Sequence, residues 1–235
     1  MSAATDTAPH SIAAGAPSGT GTGDAVPFSR LVRERSGAHH GSSESASFMT
    51  ELMAGRATLD DYTALVVQHW AIYEALEGVA DALREHPLVA PFLSADLDRL
   101  PSLERDLAAL LGVEWRNHLE FVPATVDYAA RIREVAAEWP AGYVAHHYTR
   151  YLGDLSGGIH IGRVVSRQFG FDPAGPGASF YHFDHISDPA AFKDAYRAQL
   201  DAAPWASNEA DRVVAEVLSA YDRNTLIFEQ LAARG

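Results

Sequence analysis

The sequence predicts an all-α fold built as a single domain of about eight helices. Three observations lead there. From Phe28 onward, apolar side chains recur three and four residues apart. No strand-like segments alternate with helical ones, so a βαβ architecture has no support. Pro and Gly gather in short stretches near 85–93, 99–102 and 170–180, where they punctuate the gaps between helices. At 235 residues the chain is long enough for one sizeable core.

Residues 1–27 are rich in Ala, Gly, Ser, Thr and Pro, and no Lys or Arg precedes Arg30. So little large apolar surface cannot offset the entropy of ordering, and a flexible tail is expected there, with the domain over 28–235. Residues 29–45 read as a helix weakened by Gly37 and Gly41. In 59–80, Leu65, Val66, His69, Tyr73, Leu76 and Val79 share one face. Shorter helices are expected over 124–138 and 189–201, and a longer, glycine-interrupted one over 141–169. The clearest stripe lies in 209–232, through Val214, Val217, Leu218, Tyr221, Phe228 and Leu231. Asn224 falls inside that stripe and needs a partner indoors.

Composition excludes several functions. There are 18 Lys and Arg against 31 Asp and Glu, and a formal charge of −13 disfavours general binding to nucleic acid or anionic membranes. The chain has no cysteine. That removes disulfide scaffolds, thiolate-held zinc or iron–sulfur centres, and a cysteine nucleophile. No run of 18 apolar residues exists to span a bilayer, and no secretion signal is expected, so the chain reads as cytoplasmic. Glu-x-x-His pairs, HExxH, GxSxG, GxGxxG and the P-loop are all missing.

Three constellations remain. In Tyr148–Gly158, glycines at 153, 157 and 158 should each weaken a helix by roughly 1 kcal/mol. Arg150, Gly153, Asp154 and Gly157 lie within an arc of about 100°. Such a face offers bare backbone beside a carboxylate and a guanidinium, against which a flat ligand could lie. Equally, small residues could serve helix packing, with Arg150 and Asp154 a surface pair. Arg33, His40 and Glu44 fall within roughly 40° on one helix. A His with a carboxylate four residues on is a metal-ligand arrangement, since the carboxylate orients the ring. The adjacent His39 and the glycines equally suit an ordinary solvated helix. Lys193 and Arg197, also four apart, repel unless solvated or used together on an anion. The tandem His146–His147 cannot easily share a metal, because neighbours on a helix point about 100° apart.

Taken together, VAHHYTRYLGDLSGG at 144–158, RVVSRQFGFDP at 163–173, SFYHF at 179–183, FKDAYR at 192–197, SFMTELMAGR at 47–56 and YEALE at 73–77 resemble bacterial biliverdin-producing heme oxygenase, over about residues 28–232. The resemblance implies heme sandwiched between a proximal helix and a kinked distal helix. His40 then corresponds to the iron ligand, with Glu44 beside it. Gly153, Gly157 and Gly158 belong to the distal helix. Asp154 matches the distal carboxylate that organises water, and Arg150, Tyr73 and Asn224 match other members of that polar network. Arg33, Tyr148, Lys193 and Arg197 match positions that face or steer the propionates. The implied reaction cleaves heme with O2 and external electrons to biliverdin, CO and ferrous iron. The chain lacks flavin and nicotinamide fingerprints, so a ferredoxin, flavodoxin or NAD(P)H-dependent reductase is the implied donor, and a monomer is expected.

The sequence departs from the family at three places. Gly41-Ser42-Ser43 follows His40, Ile159 stands where many relatives have Gln, and Asp188 replaces a basic residue of some relatives. A non-catalytic heme-binding or storage protein of the same fold is the principal alternative. A helical hydrolase of small heterocycles would ordinarily use the cysteine this chain lacks. A helical interaction module would have no use for the distal glycines.

Overall fold

The computed structural model describes residues 26–206 and 208–234. Apart from Val26 and Pro27, the tail expected over 1–27 lies outside the described residues. Among the described residues there are nine α-helices and no strand. They are α1 (Phe28–Ser45), α2 (Ser47–Met53), α3 (Leu59–Leu83), α4 (Leu100–Leu111), α5 (Pro123–Glu138), α6 (Pro140–Gly153), α7 (Ile159–Phe169), α8 (Pro189–Ala202) and α9 (Glu209–Ala232). A five-residue π-helical segment, Asp154–Gly158, joins α6 to α7.

The centre of the molecule is built by α3, α5, α6 and α9, which pack on one another. Thr58 and Asp61 start α3 with a reciprocal cap: Asp61 N donates to Thr58 Oγ1 at 3.1 Å, and Thr58 N to Asp61 Oδ2 at 2.8 Å. Leu65, Ile72, Tyr73 and Leu76 then enter the core almost without exposure. Burying side chains of this size contributes roughly 1.5–3 kcal/mol each, which fixes α3 as the spine. Tyr128 of α5 and Tyr143 of α6 fill the space around it.

The segment near 99–102, expected as a gap between helices, instead opens α4. Pro101 sits in the first turn, where a missing N–H costs nothing. Glu77 of α3 accepts from Arg99 N at 2.6 Å and Leu100 N at 3.2 Å, so a carboxylate on the spine caps the new helix.

The first helix, α1, is held differently. It buries only Phe28, Val32, Ser36 and Ser43. Ser43 joins it to α9. Ser43 Oγ donates to Tyr221 O at 3.1 Å and meets Thr225 Oγ1 at 2.7 Å. The weak helix former at 43 is therefore a fastening to α9, which compensates for the poor propensity of 41–43. Asp188, the acidic departure, caps α8 by accepting from Ala190 N and Ala191 N, each at 3.0 Å.

Candidate active site

Both α1 and α6 lie against α9, with a cleft between α1 and the glycine-rich end of α6. Its walls carry His40, Arg150, Gly153, Asp154 and Gly157, and its depth is lined by Leu65 and His69 of α3 and Asn224 and Phe228 of α9. A second cleft shares His40, Gly153 and Tyr221 and is rimmed by Arg33, Tyr148 and Arg197. An apolar interior thus opens onto a basic rim.

His40 Nδ1 is 3.4 Å from Glu44 Oε2, one turn on. The carboxylate holds that side of the ring, and the ring meets Tyr221 edge-on with centroids 5.6 Å apart. His39 turns away and pairs with Asp222 at 2.6 Å. Only His40 of the tandem lines the cleft.

The glycines separate the ligand-facing reading from the packing one. A side chain added at Gly153 or Gly157 would meet nothing within 4 Å. Neither glycine is small to admit a neighbouring helix; both leave bare backbone along the cleft. Gly158 is different, since its Cβ would lie 3.3 Å from Asp154 Cβ. The expected kink takes the form of the π segment, in which Ile159 N reaches back five residues to Asp154 O. Such a turn carries an extra residue and commonly marks functional sites. Beyond it, Gly162 makes room for Tyr181, whose Cβ would lie 2.5 Å from an added Cβ.

Asp154 accepts a hydrogen bond from the fully buried Tyr73 hydroxyl. Burial pushes the Asp154 carboxyl above its ordinary range, while the Arg150 cation and the Tyr73 hydrogen bond pull it back. Burial, and then the nearby Asp154 charge, push the Tyr73 hydroxyl far up, so Tyr73 holds its proton. Arg150 is not a surface residue and does not pair with Asp154 among the described residues. It donates instead to Asn224 Oδ1 at 3.0 Å and to His69 Nδ1 at 3.0 Å. Asn224 thereby has the buried partner its place in the stripe requires. Two polar atoms at this cleft are buried without partners among the described residues, Arg150 Nε and Tyr181 Oη. Bare backbone, an oriented imidazole and unspent donors suit a flat ligand with an iron centre. No group of three or more metal-binding side chains gathers among the described residues.

Among the expected rim residues, Lys193 stands apart. Its Nζ donates to Leu155 O at 3.3 Å and Ser156 Oγ at 3.0 Å, and it lines neither cleft. Arg197 lines the rim while pairing with Asp194 at 2.7 Å. His146 and His147 are core residues, bonded to Glu216 and to Tyr196, each at 2.9 Å. Among the cleft residues that the sequence reading did not take as site residues are His69, counted only as part of an apolar face, and Tyr181, inside a quoted motif without a role.

The heme oxygenase family model matches residues 26–230. A heme oxygenase of Takifugu rubripes is 37% identical over 193 residues, covering 82% of this chain and 69% of the relative. Heme oxygenase 1 of Nostoc sp. is 35% identical over 192 residues, covering 82% and 80%. Among solved structures, heme oxygenase-1 of the cyanobacterium Synechocystis sp. in complex with heme aligns with TM-score 0.84 at 32% identity, covering 89% of this chain and 94% of that one. The heme oxygenase of Leptospira interrogans aligns with TM-score 0.82 at 31% identity, covering 87% and 99%. The all-α fold, the motifs along the distal helix and these similarities agree: the chain belongs to the heme oxygenase family.

Proposed function

We infer that this chain is a heme oxygenase that converts heme, with O2 and electrons from outside, to biliverdin, CO and ferrous iron. The observation that carries the reading is the cleft itself, with an imidazole on one wall and bare glycine backbone beside a carboxylate on the other. Bound heme supplies both the ring to be cleaved and the iron at which oxygen reacts. His40 would hold the iron, with Glu44 orienting the ring from the Nδ1 side. Gly153 and Gly157 exclude water from that face and leave little lateral freedom, a positioning effect. Asp154, Tyr73, Arg150 and Asn224 hold protons and polar groups where charge develops on the distal side.

Arg33 and Arg197, with Tyr148, face the anionic propionates and fix the rotation of the disc. Lys193 stays with the π segment, bonded to Leu155 O and Ser156 Oγ, and Gly158 seats Asp154. A ferredoxin, flavodoxin or NAD(P)H-dependent reductase supplies electrons through a weak, electrostatic encounter. The domain is residues 28–235 and works as a cytoplasmic monomer. Among the described residues no helix is long and apolar enough to cross a membrane.

The test is spectroscopic. Hemin added to the full chain should bind one per chain, and a reductant under oxygen should bleach its Soret band as biliverdin appears. Failure to take up hemin defeats the reading. Hemin that binds but survives reductant and oxygen makes the chain a storage protein.

A further inference from the structure

The cleft carries a second imidazole besides that of His40. His69 lies on α3, one turn before Tyr73, and is 7% exposed. Its Nδ1 is 3.0 Å from a terminal nitrogen of Arg150. A guanidinium can only donate, so Nδ1 accepts and the ring proton sits on Nε2. Stacking on Phe180, with centroids 5.0 Å apart and planes 25° apart, sets the ring's direction. Burial, and then the Arg150 charge, oppose a second proton and keep the ring neutral.

Among the described residues, Nε2–H bonds to nothing in the chain, yet His69 lines the cleft. Its neighbours in that lining include Leu65, Met49, Ile161 and Phe228. Nε2 is not one of the polar atoms sealed off from that space, so its proton is offered to whatever occupies the cleft, beside Arg150 and Asp154. Arg150 does not explain the imidazole, because Asn224 already anchors it.

We propose that His69 Nε2–H is a hydrogen-bond donor to the small co-substrate held between the bound ring and the distal wall, an anion or diatomic molecule that accepts at its outer atom. Arg150 then has two tasks: it sets the tautomer of His69 on one side and anchors to Asn224 on the other. The inference rests on the heme-cleaving reading, since the acceptor sits on bound heme.

The test uses the full chain loaded with hemin, with azide and carbon monoxide as probes. His69→Leu should bind hemin one per chain, weaken azide binding to the ferric complex by about tenfold, the worth of one hydrogen bond, and raise the C–O stretching frequency of the ferrous complex. His69→Gln, which accepts from Arg150 and still donates, should recover both. Should the Leu variant fail to fold, as judged by its circular dichroism, His69→Met carries the same comparison. Azide affinity and C–O frequency unchanged in the apolar variant, or not recovered by Gln, overturn the donor role. Absence of hemin uptake by the unsubstituted chain instead defeats the family-level reading, so the two failures are distinguishable.

Discussion

Adjacent residues on a helix point about 100° apart, and the His39–His40 tandem shows the consequence. His39 bonds to Asp222 at 2.6 Å, while His40 lines the cleft beside Glu44. Accordingly, His40→Ala should abolish the imidazole-ligated spectrum of the ferric hemin complex, and added imidazole should restore it. His39→Ala should leave the spectrum intact; a reversed pattern would shift the ligand by one residue. Across the cleft, Asp154→Asn keeps an acceptor for Tyr73 and removes the carboxylate. Hemin uptake should persist while the rate of biliverdin formation falls by about a hundredfold, the scale of a lost acid–base group. Biliverdin formed at the unsubstituted rate would end that assignment. Asp154, Arg150, Tyr73 and Asn224 were legible because each sits in a distinctive motif or breaks an apolar stripe. His69 was not, because periodicity shows that a residue faces inward but not what it meets there. That depends on how α3 crosses α6, and the pairing with Arg150 spans 81 residues.

Helix positions were readable wherever the apolar period was long. The stripe in 209–232 coincides with α9, and expectations over 59–80 and 124–138 fall within three residues of α3 and α5. Short α2 was not read as a helix, and α4 was missed because Pro101 reads as a breaker, although a first-turn proline starts a helix as readily as proline elsewhere ends one. The form of the distal kink was also hidden. Glycine content announces a weak helix, but whether it bends, unwinds or widens into a π turn depends on what the backbone lies against. This element offers its own test. Gly157→Ala should stabilise the heme-free protein by roughly 1 kcal/mol, because a better helix former enters open space. For a domain of this size that is about 2–4 °C in Tm. The same methyl should weaken hemin binding, since it occupies the face meant for the ring. Higher Tm with undiminished hemin affinity would show that the ligand does not lie against this backbone.

Across the whole molecule, the core encloses three imidazoles that burial keeps neutral, His69, His146 and His147. Burial pushes His147 down to about 3, against an ordinary value near 6.5. The unfolded chain therefore binds a proton that the folded chain refuses. His147 contributes its stability in full above about pH 6.5, and that stability is lost as pH falls toward 3. Glu77 acts in the opposite sense: burial raises it to about 7, so its contribution is full below about pH 4.5 and lost as pH rises toward 7. Removing one group isolates its share of the balance. His147→Phe retains ring packing against Tyr151 and Tyr196 but orphans the Tyr196 hydroxyl, a cost that does not vary with acidity in this range. Between pH 7 and pH 5 the unsubstituted protein should lose about 2 kcal/mol more unfolding free energy than the variant, measured by urea titration. Equal losses would mean that His147 takes up its proton in the folded state, and that water reaches the centre of the helical core.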